Sequence, residues 1–289
     1  MTKLSLGVTA TLSAIAAFVL LVRPSNERDW NVDQRVLTSV SVEADRVALK
    51  NVRRFAYRGV ADFMPGYVDK TLDLKGLKRV WYAVEPLSDK LTGLAHTFLS
   101  FEFEDGSATA ISVEIRKERG ETYSPFWGLF RRYELMYVIA EESDVILLRT
   151  NYRLHDVYFY PVQASPEEAR ALLREMLLRA ERLERRPEFY NTLFNTCTTN
   201  IVRHIRILAP GSIPWSYKVL LPGYSDRLAY DLGFIPHDAS FETIRRRHWI
   251  SGRARSYKEG DNFSRLIRSN GETGGPAPQR QDSRNIGKR

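Results

Sequence analysis

The feature that most restricts the fold is a change of period at residue 165. Before it, apolar and polar residues alternate along much of the chain; after it, the apolar positions recur with a helical spacing. Alternation sends successive side chains to opposite faces of a sheet, whereas recurrence at three and four residues lines up one face of a helix. Strands are predicted within residues 40–57 and over 79–84, 96–103, 108–116, 133–140, 145–150 and 157–162, all rich in Val, Ile, Tyr and Phe. The stretch SPEEARALLREMLLRAERLERR then offers Ser165 as a cap, Pro166 for the first helical position and Glu168 to complete a capping box. Ala169, Leu172, Leu173, Met176, Leu177 and Ala180 share one apolar face. A second helix is predicted from near Cys197, carrying Ile201, Ile205 and Leu208 to a stop before Pro210-Gly211, and a third over 240–249. The expected class is α+β, an antiparallel sheet packed on helices.

A chain of 289 residues with 43% hydrophobic content can bury a full core. No fixed-period repeat is present, and one domain over residues 29–250 is expected, between an N-terminal segment (1–23) and a basic, partly disordered tail (251–289). The single cysteine allows no internal disulfide and no thiol-based zinc cluster, and the five histidines lack metal-site spacing; no cofactor is expected. The net charge of +8 is concentrated late. From Ser240 onward there are 12 Lys/Arg against 5 acids. These arginines lack interleaved stacking aromatics, so nucleic acid is not an expected partner. Attraction to anionic lipid is the alternative to a plain solvated surface, at about 1 kcal/mol per residue near a membrane. Residues 4–22 (LSLGVTATLSAIAAFVLLV) carry no charge and would span roughly 28 Å as a helix. An uncleaved membrane anchor is favoured over a cleaved signal, because the apolar run continues past the Ala14-Ile15-Ala16 triplet. Either outcome places the domain outside the cytoplasm.

The lone thiol sits in YNTLFNTCTTNIVRHI (residues 190–205), where a helix begins. There the unsatisfied amides and the helix dipole favour thiolate over thiol and can cradle an oxyanion. The plainer alternative is an inert cysteine among ordinary capping residues. A nucleophilic thiol needs a base, and His96 opens a predicted hairpin around Asp105-Gly106. In this hairpin Leu99, Phe101 and Phe103 face one side, with His96, Ser100 and Glu102 opposite. A three-residue loop over 105–107 would pair Phe98 with Glu114 and set Glu114 diagonally across from His96, within reach of a long side chain. His204 lies about two turns beyond Cys197 on the same helix, too far along the axis to take its proton.

Several blocks in order, among them VALKNVRRFAYRG, AHTFLSFEFEDG, VYFYPV and FYNTLFNTCTTNIVRHI, resemble the periplasmic domain of Lnb-type bacterial lipoprotein N-acyltransferases over roughly residues 29–235. The resemblance implies a circularly permuted papain-like fold, shared with NlpC-like and LRAT-like enzymes, in which a strand histidine precedes a helix-terminal cysteine. His96 and Cys197 match those positions. Glu114 rests on the register argument alone. The family block has two asparagines before the cysteine, whereas here Asn195 is followed by Thr196. Lnb-type enzymes also carry membrane helices after the thiol domain, while the long apolar run of this sequence is N-terminal.

The resemblance implies transfer of an acyl chain from a phospholipid, through a Cys197 thioester, to an amine such as a lipoprotein N-terminus. Tyr190, Asn191 and Asn195 are candidate substrate contacts. The aromatic stretch YSPFWGLFRRYELMY is a candidate acyl groove or bilayer contact, with Arg131 and Arg132 near phosphate. The alternatives are a cysteine peptidase or amidase acting on cell-wall peptides, and a non-enzymatic envelope module with an inert thiol. Oligomeric state is not legible.

Overall fold

A computed structural model describes Ser13 and residues 21–269, and within it the alternating stretches become strands. They are β1 (Ser39–Glu43), β2 (Arg46–Arg53), β3 (Ala56–Tyr57), β4 (Phe63–Met64), β5 (Tyr67–Asp73), β6 (Leu77–Pro86), β7 (Ala95–Phe103), β8 (Ala108–Arg116), β9 (Glu134–Ala140) and β10 (Tyr158–Pro161). The main sheet runs β1-β2-β9-β8-β7-β6-β10, with β5 also paired to β2; β3 and β4 form a separate pair. Every pairing is antiparallel except a short parallel contact of β2 with β9 at Arg53 and Ala140. The helices are α1 (Glu142–Leu147), α2 (Pro166–Arg185), α3 (Cys197–Leu208), α4 (Tyr217–Leu220), α5 (Ser225–Asp231), α6 (Phe241–Arg247), α7 (Ser251–Arg255) and α8 (Phe263–Arg268). The fold is therefore α+β. Among the described residues no helix is long and apolar enough to cross a membrane. The expected anchor, residues 4–22, lies outside them apart from Ser13, Leu21 and Val22.

Both sheet faces are covered. On one, α2 lays Leu172, Leu173, Met176 and Leu177 against Val47, Leu49, Leu99, Ile111 and Ile139. Its start is the anticipated capping box: Ser165 Oγ accepts from Glu168 N, and Ser165 N donates to Glu168 Oε2. Leu173 is fully buried. Leu173→Ala is expected to cost about 2–5 kcal/mol, lowering the urea midpoint without changing the slope. A loss under about 1 kcal/mol would show that this seam is not tightly packed. On the other face, Phe98, Ala110, Met136 and Val138 pack with Val145 and Ile146 of α1 and with Ala254, Phe263 and Ile267.

Three expectations need correction. The β7–β8 register pairs Phe98 with Ser112, not Glu114. The loop has the expected length but covers residues 104–106, closed by Phe103 N donating to Ser107 O at 2.9 Å. Gly106 has φ +79°, the left-handed position that ends such a loop, and a loop over 105–107 would have put Ser107 there. Residues 145–150, predicted as a strand, lie in α1 and the π-helical turn Leu148–Tyr152. A continuous apolar run has no period of its own, and here Glu142 and Asp144 in the first turn favour a helix start. Residues 251–269, expected to open the tail, instead pack on the sheet through α7 and α8, with Arg268 bridging to Glu142 at 2.5 Å. The rest of the expected tail, residues 270–289, lies outside the described residues.

Candidate active site

The asparagines and threonines around the thiol build the turn that presents it. Asn191 Oδ1 accepts from the backbone N–H of Leu193 and of Phe194. Asn195 Nδ2 donates to Phe189 O, while Asn195 Oδ1 accepts from Asn200 Nδ2 of α3. Thr196 caps the helix: its Oγ1 accepts from Thr199 N at 3.2 Å, and Thr199 Oγ1 accepts from Thr196 N at 2.7 Å. These bonds leave Cys197 at the first helical position, among amides that no intrahelical carbonyl takes. A second clamp ties the helix start to the sheet, with the hydroxyls of Thr97 on β7 and Thr198 on α3 2.9 Å apart.

Cys197 is buried, and burial by itself pushes a thiol upward. The neighbouring His96, by charge and by hydrogen bond, together with hydrogen bonds from the Thr97 side chain and backbone, outweighs that and brings Cys197 down to about 7. His96 is held on its other side. Its Nε2 lies 2.7 Å from Ser112 Oγ, and Ser112 Oγ donates to Glu114 Oε1 at 2.8 Å. A hydroxyl has one proton to give, so with that proton on Glu114 the serine oxygen accepts from Nε2–H. The neutral ring is then the Nε2–H tautomer, and Nδ1 is the basic nitrogen left for the thiol. Glu114 Oε1 is 3.8 Å from His96 Nε2, so Glu114 orients the ring through Ser112. The observed register, extended by two residues past Phe98, sets Glu114 opposite His96, which shortens the diagonal expected from sequence.

A buried charge chain continues behind this pair. Arg149 Nη2 donates to Glu114 Oε1 at 3.0 Å and Arg149 Nε to Glu85 Oε2 at 2.7 Å, and His155 Nδ1 lies 2.7 Å from Glu85 Oε1. Burial would raise both carboxyls, but Arg149 holds Glu85 below and Glu114 well below the ordinary range. His96, Glu114, Glu85, Arg149, Tyr123, Tyr190 and Cys197 all line one cleft of about 290 Å³.

Of the residues singled out from sequence, Cys197, His96, Glu114 and Tyr190 meet in this cleft. Asn191 and Asn195 shape the turn instead. Arg131 and Arg132 do not line the cleft: Arg131 Nη1 donates to Val22 O, and Arg132 Nε pairs with Glu121 at 2.6 Å. His204 is buried against Tyr137, 2.7 Å from its hydroxyl, and burial lowers it to about 3, so it stays neutral. Sequence reasoning gave no role to Ser112, Thr97, Glu85 or Arg149. Ser112 had a usable signal, since it alternates onto the Glu114 side of β8. Arg149 had none, because its segment reads as a strand. Among the described residues no group of three or more His, Cys, Asp or Glu side chains is placed to hold a metal ion.

No curated protein and no solved structure matches the chain. The model of one family does: that of the Lnb N-terminal periplasmic domain matches residues 63–223, more than half of the chain, from β4 to the start of the segment before α5. The match includes His96, Ser112, Glu114 and Cys197, and leaves outside it β1, β2, β3 and the helices from α5 onward. The chain therefore belongs to the family of the Lnb N-terminal periplasmic domain and is a cell-envelope protein related to Lnb.

Proposed function

We propose that the protein is a membrane-associated thiol acyltransferase, moving a fatty acyl chain from a phospholipid to an amine through a thioester on Cys197. The observation that carries this reading is the seat of Cys197 at the start of α3, lowered to about 7 beside an imidazole whose far nitrogen is held by Ser112 and Glu114. The order of a strand histidine before a helix-terminal cysteine fits a circularly permuted papain-like arrangement.

In the first half-reaction His96 Nδ1 takes the thiol proton, and the sulfur forms a bond to the ester carbonyl carbon. The carbonyl oxygen becomes an oxyanion facing first-turn amides, including that of Cys197. Collapse breaks the ester C–O bond, and the leaving alkoxide takes the proton from His96, which yields a lysophospholipid and the thioester. In the second half-reaction an amine, such as a lipoprotein N-terminus, attacks the thioester carbonyl. His96 accepts the amine proton and returns it to the departing sulfur. A peptidase or amidase would use the same nucleophile on an amide, with water in the second step.

Intact-mass measurement after exposure to phospholipid vesicles tests the proposal. The wild type is expected to gain a fatty-acyl mass that hydroxylamine removes, and Cys197→Ser to gain none under the same conditions. Cleavage of muropeptides with no acyl adduct would favour the hydrolase and overturn the transferase.

A further inference from the structure

Outside the cleft, three neighbouring loops leave large apolar side chains in water. Phe126, Trp127 and Phe130 stand around the 3₁₀ turn Trp127–Leu129, with ring centroids 5.2–6.4 Å apart. Leu193 and Phe194 come from the turn before Cys197, and Trp215 from the segment after α3. All six are between 42% and 81% exposed.

The three loops are joined. Thr192 N donates to Gly128 O and Thr192 Oγ1 to Pro125 O. A Cβ on Gly128 would come 2.3 Å from Thr192 Oγ1, so a larger residue there would have to displace that hydroxyl from Pro125 O. Phe194 and Trp215 line one groove of about 450 Å³ that also contains Arg203 and Arg206. Clustered apolar surface of this extent marks an interaction site, and tryptophan beside arginine suits the boundary between hydrocarbon and headgroup.

Two observations bear on what covers it. Val22, the last residue of the uncharged run 4–22, offers its carbonyl to Arg131 Nη1 at 3.2 Å, one residue from Phe130. The most apolar segment of the chain thus joins the domain at the edge of this patch. The patch also borders the cleft, since Gly128 packs against Tyr190, and Tyr190 and Tyr123 form the cleft wall with hydroxyls 3.5 Å apart. We infer that this surface lies in the lipid interface, seating the aromatic side chains among acyl chains and opening the cleft onto the bilayer. The docking surface stands on geometry alone; only its consequence, that Cys197 meets a lipid acyl donor at the bilayer surface, rests on the proposed acyltransferase reading.

The test uses the full-length chain with vesicles of phosphatidylethanolamine and phosphatidylglycerol carrying brominated acyl chains, which quench tryptophan on contact. Trp30 and Trp81 are buried, whereas Trp127 and Trp215 are exposed. Wild-type emission is expected to be quenched relative to unbrominated vesicles, and W127F/W215F to lose most of that quenching while keeping the wild-type far-ultraviolet circular dichroism. Absent quenching, or equal quenching in the two proteins, would overturn the docking surface, as would a dimer that buries both tryptophans. Cys197→Ser is expected to keep the quenching. Quenching without any acyl adduct would therefore sink the acyltransferase reading and leave the docking surface, and an adduct without quenching would do the reverse.

Discussion

On the proposed function, Cys197→Ser is expected to lower acyl transfer by on the order of 10⁴-fold or more, and His96→Ala by a comparable factor, because the proposed nucleophile and base would act as one unit. Adding the second substitution to the first should cost little further. The reason is structural. A serine hydroxyl at the helix start would not ionise near neutral pH, and without His96 the largest influence pulling Cys197 down to about 7 is gone. Glu114→Gln should show a smaller loss, since Glu114 touches His96 through Ser112. Single-turnover rates with a phospholipid donor measure all three. A Cys197→Ser enzyme within tenfold of wild type would contradict the assignment.

Arg149→Leu is expected to destabilise the fold by about 3–5 kcal/mol, the cost of stranding a buried charge whose partner has been removed. Arg149 is almost wholly enclosed and serves Glu85 and Glu114 together; the Glu85 side chain has no exposure and would keep only His155 and a 3.9 Å contact with Arg153. The pH dependence follows from the two carboxyls. Both are lowered from 4.5 in the folded protein, so their contribution is full above about pH 4.5 and is lost as pH falls toward the folded values. Without Arg149, burial raises Glu85 instead, and that variant gains stability as pH falls. The deficit should be largest near pH 7, begin to shrink as pH falls toward about 4.5 and Glu85 protonates in the variant, and shrink further below about pH 4.5 as the wild type loses its own contribution. Urea unfolding at pH 7 and pH 4 checks the sign, and a deficit that grows in acid would contradict it.

What the sequence made legible was local chemistry. Ser165, Pro166 and Glu168 announce the start of α2 because a capping box is complete within four residues, and the Cys197 helix start is similarly written in its neighbours. The two faces of β7 follow from alternation, and they survive the register error because a slip of two residues preserves parity. What sequence concealed depends on distant partners. Arg149 meets Glu114 and Glu85 from 35 and 64 residues away, and nothing in LLRTNYR signals a buried guanidinium. The late arginines look like a solvated tail, but Arg245 finds Asp226 at 2.7 Å and Arg268 finds Glu142, so part of that charge is internal to the fold. The exposed aromatic patch was legible in part: Phe126, Trp127 and Phe130 stand in the stretch that reads as a candidate bilayer contact, whereas Leu193, Phe194 and Trp215 join it only through the fold.

The chain contains one cysteine, so the rate of alkylation by iodoacetamide reports a single thiol without interference. Measured from pH 5 to pH 10, the wild-type rate should rise with a midpoint of about 7, and His96→Ala should move that midpoint to about 8.5 or above. A wild-type midpoint already at about 8.5, unchanged by removing the imidazole, would contradict the account of an activated Cys197.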